Sequence, residues 1–436
     1  MKKFLTGAYT FSLVSNIVTS SSGFIAIWAL ARILSAEELG KWLLYITAFT
    51  FCDMMRSGII HTALIKHSSR SDKQSVVGSS WLIGIGLSVL IVIIICLLEY
   101  INFTLTGNYY EAELSFYLKL LILTSFPVAI SLWLQQMDEF FNRLMYIRLI
   151  LSIPFLIFIV SGFFFSFHLE ILVQIHLMSY IATSVLTIAL GWSSIQSILE
   201  AKVAIMQKLL SFGKYTMGTL VSTNLLKSAD TFMISWYLGP AVLAAYNLPY
   251  KLIELVEIPL RSLSATFLPQ AVKQSNKHNL LSIKIMFYQY TSLLSLFILP
   301  AILLMFFFAE EIVIMLGGKT YAGSASILRC FLIYSLFLPL DRFLGITLDI
   351  LNKPHLNLLK VCLMVLINIS GNLLAIHFFS SPELIAVATI ITVICGSIIG
   401  WVLLSKTIPI KPNELAATGY FLLKRRIYYY IKYKPV

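Results

Sequence analysis

Ionisable side chains stand inside several long apolar runs of this sequence. Four pairs have the three- or four-residue spacing that puts both members on one face of a helix: Asp53 with Arg56, Lys227 with Asp230, Lys251 with Glu254, and Glu257 with Arg261. Charges within membrane-spanning segments are costly, usually face the bundle interior or water, and mark ion pathways, proton relays and sites for charged substrates. The pairs therefore predict a charged aqueous cavity; the alternative for any single pair is an ion pair that only holds the bundle together.

The charges inside the apolar runs are balanced, with six cations and six acids. Local cations could bind an anionic substrate, and the acids could bind a coupling ion. Five of these residues are predicted to lie nearest the membrane midplane: Asp53, Lys227, Asp230, Glu254 and Glu257. The histidines are scattered, and neither they nor the cysteines have the spacing of a catalytic or metal site. We therefore predict no catalytic residue, no metal and no cofactor other than a coupling H⁺ or Na⁺.

The composition places these charges in a membrane protein. Of 436 residues, 58% are hydrophobic and only 12% are charged, and the mean hydropathy is +0.87. A soluble domain contains about 25% charged residues, so the sequence excludes a cytosolic enzyme, a secreted disulfide scaffold and a disordered chain. The apolar residues form long continuous runs, which indicate a helical bundle rather than a barrel.

Twelve runs are long enough to span a bilayer. They lie near 11–33, 42–65, 77–98, 114–136, 144–167, 169–192, 212–237, 241–267, 284–308, 322–349, 356–379 and 383–405. With both termini in the cytoplasm, the cytoplasmic segments contain 22 Lys and Arg residues and the outer segments contain four. This asymmetry predicts the orientation. It also accounts for the net charge of +12 without nucleic acid as a partner.

An internal repeat divides the chain. Asp53 and Ser57 in span 2 stand 204 residues before Glu257 and Arg261 in span 8, and polar residues of spans 1 and 7 match at the same offset. Six spans in each half give a parallel repeat, with a binding site expected between the halves. We predict an N-terminal lobe at 1–205, a C-terminal lobe at 206–405 and a basic cytoplasmic tail at 406–436.

Three short motifs resemble those of a known family. Arg32-Ile33-Leu34 precedes Glu38-Leu39-Gly40, and Asp230 precedes Leu238-Gly239, Tyr246 and Pro269. A glycine turn, Leu316-Gly317-Gly318, then precedes Tyr321. In this order, and with twelve spans, the chain resembles the polysaccharide (O-antigen) flippases of the multidrug/oligosaccharidyl-lipid/polysaccharide (MOP) exporter superfamily.

The resemblance implies an all-α polytopic membrane protein with two six-helix lobes around a central cavity. It implies alternating-access transport of undecaprenyl-pyrophosphate-linked oligosaccharide across the bacterial inner membrane, for O-antigen and lipopolysaccharide synthesis, by an ion-coupled antiporter. Membrane lipids, a polysaccharide polymerase and a chain-length regulator are the implied partners. Applied to this chain, it makes Lys227, Arg56, Lys251 and Arg261 candidates for binding the pyrophosphate. It makes Asp53, Asp230, Glu254 and Glu257 candidates for coupling or gating.

Other functions compete with this one. A multidrug exporter of the same superfamily would share the fold but typically has a more acidic cavity, and the related peptidoglycan-precursor flippases usually have fourteen spans. A membrane acyltransferase or polysaccharide polymerase is the enzymatic alternative, but no loop here is long enough for a large periplasmic domain. A membrane scaffold has little reason to bear so many buried charges.

Overall fold

The structure is a computed structural model that describes residues 21–67, 73–107, 112–138, 140–275, 277, 279–415, 417–418 and 421. All regular elements of this described part are helical. In chain order the helices are α1 (Ser21–Ile33), α2 (Ala36–His67), α3 (Lys73–Thr106), α4 (Ala112–Thr124), α5 (Phe126–Met137), α6 (Phe141–Ser161), α7 (Leu169–Ala189), α8 (Val203–Tyr237), α9 (Pro240–Ser275), α10 (Leu280–Phe307), α11 (Ala309–Gly317), α12 (Ala325–Ile350), α13 (Pro354–Phe379) and α14 (Pro382–Ser405). Short 3-10 helices occupy Ile195–Glu200 and Lys319–Ser324.

The predicted fold class, an all-α polytopic membrane protein, is confirmed. Each predicted span coincides with one helix, or with the pair α4 and α5, within the described residues. Eight helices are long and apolar enough to cross a membrane, and the bent pair makes a ninth. The described part of α1 is too short to qualify, and α8 and α9, which carry most of the predicted site, also fall outside this set. The count of twelve therefore stays a prediction.

Predicted span 4 is broken into two helices. α4 and α5 meet at Ser125 with a bend of 40°. Pro127, in the first turn of α5, has no N–H to donate to the preceding turn, so the continuous helix is interrupted there. The bend leaves backbone and hydroxyl acceptors near Ser125 that a partner must satisfy.

The chain divides into two compact units. The first ends at Thr231 and also includes Gly239–Ala244, and the second contains Phe232–Leu238 and the chain from Ala245 onward. A core of buried apolar residues from α2, α3, α5 and α8, with Trp81 and Phe126 among its largest side chains, stabilises the first unit. The second unit is held by α14 packing against α12 and α13. The lobe boundary at 205/206 stays a prediction.

The Glu38-Leu39-Gly40 motif has a structural explanation. Glu38 accepts hydrogen bonds from the backbone N–H of Ser35 at 3.2 Å and from the backbone N–H of Leu169 at 3.3 Å, so one carboxylate caps both α2 and α7. Gly40 lies directly against the start of α9, where a Cβ atom would be 1.7 Å from the carbonyl oxygen of Pro240. Only glycine permits this approach.

Helix boundaries keep the repeat offset at the start of each half. α1 ends at Ile33 and α8 at Tyr237, while α2 begins at Ala36 and α9 at Pro240, so both boundaries differ by 204 residues. In the second half Gly239 makes the turn with φ of 91°, a conformation that favours glycine. The predicted leucine-glycine motif is thus a helix-connecting turn.

A short strap after α14 binds back to α10. The backbone N–H of Lys411 donates to the Tyr288 hydroxyl at 2.7 Å, and Lys284 Nζ lies 2.6 Å from Glu414 Oε2. Ser292 donates to the carbonyl of Leu415 at 3.2 Å. This strap anchors the beginning of the predicted tail; the basic residues from Lys424 to Lys434 lie outside the described part.

Candidate functional site

The α2 pair combines a buried cation with an accessible acid. Arg56 Nη2 donates to Asp53 Oδ1 at 2.7 Å, as the three-residue spacing predicts. The Arg56 side chain is 0% exposed, whereas that of Asp53 is 37% exposed. Any solute or ion at this position would meet the carboxylate of Asp53 and not the guanidinium.

Partners distant in sequence satisfy the rest of the Arg56 guanidinium. Its Nη1 donates to the carbonyl of Ile122 at 2.7 Å and to the Ser88 hydroxyl at 3.2 Å, and its Nη2 also donates to the Ser125 hydroxyl at 3.0 Å. The guanidinium carbon lies 5.9 Å from the centre of the Phe126 ring. Four of its five N–H donors are therefore engaged within the protein, at the bend between α4 and α5.

His176, on α7 in the first unit, lies within a cage of aromatic rings. The centre of the His176 ring is 5.3 Å from that of Trp42, and 5.1 Å from those of Phe155 and Tyr180. The rings of His176 and Tyr45 are also in contact. His176 Nδ1 and the Tyr45 hydroxyl have no hydrogen-bond partner among the described residues. These ring contacts make His176 a packing residue of the first unit.

The α8 pair is described only in part. Asp230 lies near the end of α8 and is 7% exposed. Lys227 lies one turn earlier on the same helix, but its side chain lies outside the described part of the structure. Its role in binding a diphosphate stays a prediction.

Both pairs on α9 form. Lys251 Nζ is 2.7 Å from Glu254 Oε1, and Arg261 Nη2 is 3.2 Å from Glu257 Oε2. Lys251 and Glu254 are 29% and 45% exposed, and Arg261 is 63% exposed, whereas only 11% of the Glu257 side chain is. Helical spacing brings these four residues onto one side of α9, hereafter the α9 polar face, on which Lys251, Glu254 and Arg261 are accessible.

One charge pair with a buried lysine was not predicted from the sequence. Lys360 is 2% exposed on α13, and its Nζ donates to Oδ1 of Asp341 at 2.6 Å and to the Asp341 carbonyl at 3.2 Å. The charge count assigns Lys360 to a cytoplasmic loop because it lies near the beginning of its span. The available signal was the spacing 360, 364, 368 and 372, which forms the buried stripe of α13.

Gly400 on α14 makes room for the Lys360 side chain. A Cβ atom at Gly400 would be 3.1 Å from Cδ of Lys360 and 3.3 Å from Leu344. Small residues allow helices to approach closely within membranes. Here the close approach encloses a charge pair of the second unit.

Comparison with known proteins gives the family. Residues 29–326, more than half of the chain, match the family described as "Polysaccharide biosynthesis protein". The chain belongs to this family. No curated protein matches the sequence.

Solved structures share the fold of this polysaccharide biosynthesis protein. The lipid II flippase MurJ in an inward closed conformation is 16% identical with a TM-score of 0.72, covering 98% of this chain and 93% of MurJ. An inward-facing multidrug resistance MATE family transporter of the MOP superfamily is 13% identical with a TM-score of 0.73. The match covers 93% of this chain and 98% of the transporter chain. A MOP superfamily transporter from Pyrococcus furiosus, described as having a binding pocket of reversed polarity, is 12% identical with a TM-score of 0.60, covering 90% and 92%.

The family match confirms that the predicted resemblance is to a polysaccharide family, and the solved structures show that the chain has the fold of a lipid II flippase and of a MOP superfamily transporter. The family match includes α2, α8 and α9, which carry all eight predicted site residues. It ends at residue 326, so Lys360 and Asp341 lie beyond it.

Proposed function

We propose that this protein is a flippase that moves undecaprenyl-pyrophosphate-linked oligosaccharide from the cytoplasmic to the periplasmic leaflet of the bacterial inner membrane. One observation carries the proposal: a polysaccharide biosynthesis protein has a fold that it shares, along almost its whole length, with a lipid II flippase. Lipid II flippase activity belongs to that neighbour. For this chain, the family favours a polysaccharide precursor as the lipid-linked substrate, in O-antigen or lipopolysaccharide synthesis.

The charges on α2, α8 and α9 fit such a substrate. A pyrophosphate with several sugars cannot cross hydrocarbon unaided, because each unsatisfied polar group costs several kcal/mol in the bilayer core. A polar groove that opens alternately to each side would shield them while the lipid tail stays in the bilayer. Charged side chains in spanning helices are what such a groove requires.

The cations are proposed to differ in their roles. Lys227 is the candidate for direct contact with the diphosphate, from its predicted position near the midplane. Of the four candidate cations, Arg56 is the least suited to bind a ligand, because four of its N–H donors are hydrogen-bonded within the protein. We propose that it positions Asp53 instead, and that Lys251 and Arg261 contact the substrate as members of ion pairs.

The acids are proposed to couple or gate transport. Asp53 is accessible, and Glu254 is nearly half exposed, so both could exchange a proton or bind Na⁺. Asp230 and Glu257 are buried. A coupling ion entering by antiport would drive substrate outward, with both termini of the protein in the cytoplasm and a polymerase and chain-length regulator receiving the product.

The test uses a strain of the native host from which the gene for this protein has been deleted. Lipid-linked oligosaccharides are extracted, and the membrane leaflet on which they accumulate is determined. Completed units on the cytoplasmic leaflet, with delivery restored by the intact gene, are expected. Missing or unmodified oligosaccharide would instead indicate an enzyme.

A second candidate function is drug export, which the fold shared with a multidrug resistance MATE transporter supports. Normal periplasmic delivery of oligosaccharide together with increased drug sensitivity of the deletion strain would favour it. The balanced charge of the α9 polar face favours the oligosaccharide, since cationic drugs require an excess of acids.

A further inference from the structure

The α9 polar face carries no net charge. Its two cations, Lys251 and Arg261, each lie within 3.2 Å of a carboxylate on the same helix. Because the two ions of each pair are so close together, their opposite electric fields largely cancel away from the pair. The face therefore offers donors and acceptors in equal number rather than a surplus of positive charge.

Such a face is poorly suited to a diphosphate. A diphosphate bound to Lys251 would approach Glu254, whose carboxylate is 2.7 Å from the same ammonium. Two like charges about 4 Å apart repel by about 4 kcal/mol at the effective dielectric constant typical near a protein surface. The attraction that Lys251 provides would be offset by this repulsion, and the same holds for Arg261 beside Glu257.

The same geometry suits sugar hydroxyls. A hydroxyl group both donates and accepts hydrogen bonds, so it can bridge a carboxylate and an ammonium group that are already held together. The partly exposed groups of Lys251 and Glu254 are available for this. Pairing also fixes the side chains, which reduces the entropy lost on binding.

A rigid aromatic ring adjoins the pair. Tyr250 precedes Lys251 and packs against Phe331, with ring centres 5.2 Å apart and nearly perpendicular planes. Tyr246, one turn earlier, packs on the same Phe331 ring at 5.1 Å. An apolar ring beside paired polar groups is the combination that a sugar, with its apolar and polar surfaces, requires.

We propose that the α9 polar face binds the sugar residues of the substrate and not its diphosphate. This inference rests on the proposed function and assigns the specificity of that site. Lys251 and Glu254 are the specificity-determining pair. Arg261, which is paired with the buried Glu257, extends the contact along α9. The diphosphate is bound elsewhere in the protein.

The test measures binding of two probes to the purified full-length protein in nanodiscs. One probe is undecaprenyl pyrophosphate, and the other is undecaprenyl pyrophosphate carrying the oligosaccharide, extracted from the deletion strain. The variant Lys251→Met/Glu254→Gln removes both charges and preserves the net charge. It should weaken binding of the glycosylated probe about tenfold, the effect of losing one charge-assisted hydrogen bond, and change binding of the bare lipid less than twofold.

A second double variant covers the case in which the first does not fold. Lys251→Glu/Glu254→Lys retains an ion pair but exchanges donor and acceptor positions, and it should also weaken only the glycosylated probe. Lys273→Met, an exposed position near the end of α9, is the matched control and should bind both probes as the wild type does.

The remaining outcomes overturn the inference. Equal weakening of both probes by the variants would show that the face binds the diphosphate. Unchanged binding of both probes would show that the ion pairs are only structural. If the folded wild-type protein binds neither probe, the proposed function itself fails, which distinguishes that failure from a wrong assignment of the α9 polar face.

Discussion

Arg56 Nη2 donates a 2.7 Å hydrogen bond to Oδ1 of Asp53, although Arg56 is fully buried and Asp53 is partly exposed. The pair therefore joins the interior of the first unit to an accessible carboxylate. Through Ile122 and Ser125, the same guanidinium also holds the bend between α4 and α5. A movement of the bend would therefore be transmitted to Asp53 through the side chain of Arg56.

Replacing Arg56 should therefore lower stability and transport together. Arg56→Lys keeps the charge, but its single nitrogen cannot reach acceptors on α2, α3 and the α4–α5 bend at once. The loss of at least two charge-assisted hydrogen bonds is expected to cost about 3 kcal/mol or more. The thermal unfolding midpoint in detergent measures this. Arg342→Lys, at an exposed position on α12, is the control. An equal midpoint for both variants would contradict the stabilising role of the Arg56 hydrogen bonds.

The Gly40 contact with Pro240 predicts a steric effect. In a helix, glycine to alanine normally stabilises by about 1 kcal/mol, but at Gly40 the new Cβ would be 1.7 Å from a backbone oxygen. Gly40→Ala should therefore lower the unfolding midpoint and the yield of folded protein. Gly86→Ala is the matched control on α3, because a Cβ atom added there would have no neighbouring atom within 4 Å. A stability gain at both positions would rule out the close contact.

The aromatic cage predicts that His176 acts by packing. His176→Phe preserves an aromatic ring among Trp42, Phe155 and Tyr180, so the unfolding free energy should change by less than about 1.5 kcal/mol. His176→Asp should destabilise strongly, because it buries a carboxyl group among aromatic rings. The pH profile of transport should be the same for His176→Phe and wild type. A changed profile would show that the imidazole titrates during transport.

The pair of the buried Lys360 with Asp341 in the second unit predicts rescue by a double substitution. Lys360→Met leaves Asp341 without its cation. Breaking a fully buried pair in this way costs about 3–5 kcal/mol, and a smaller loss is expected here because the Asp341 side chain is 21% exposed. Lys360→Met with Asp341→Leu removes both charges and should recover most of the loss. Unfolding midpoints of the two single variants and the double variant measure the coupling. If the double variant is no more stable than Lys360→Met, the pair is not the source of the loss.

The strap after α14 predicts a titration at acidic pH. The hydrogen bond from the Lys284 ammonium lowers the pKa of the Glu414 carboxyl below its ordinary value of 4.5. A carboxyl with a lowered folded pKa stabilises the docked strap above its unfolded pKa, and this contribution is lost as the pH falls through the folded value. Carbon-13 NMR of Glu414 should therefore show a midpoint below 4.5. Lys284→Met should return the midpoint to the ordinary value, and an unchanged midpoint would exclude the contact.

Much of the fold was predictable from local signals. Apolar runs located the helices, and i,i+3 and i,i+4 spacing correctly paired Asp53 with Arg56 and both pairs on α9. The bend at Ser125 was not predicted, although Pro127 was an available signal. The partners of Arg56 could not be predicted, because Ser88, Ile122 and Ser125 lie 32 to 69 residues away and enter through tertiary packing. Lys360 was misplaced because charge counting assigns residues near span ends to loops.

The most direct measurement is translocation of fluorescent lipid-linked oligosaccharide by the purified protein in proteoliposomes, with an impermeant quencher reporting the outer leaflet. We predict transport by the wild type, reduced transport by Lys227→Arg and none by a correctly folded Lys227→Ala variant. Transport by Lys227→Ala at the wild-type rate would contradict the head-group assignment. No transport by the folded wild-type protein, with and without a gradient of H⁺ or Na⁺, would contradict the proposed function.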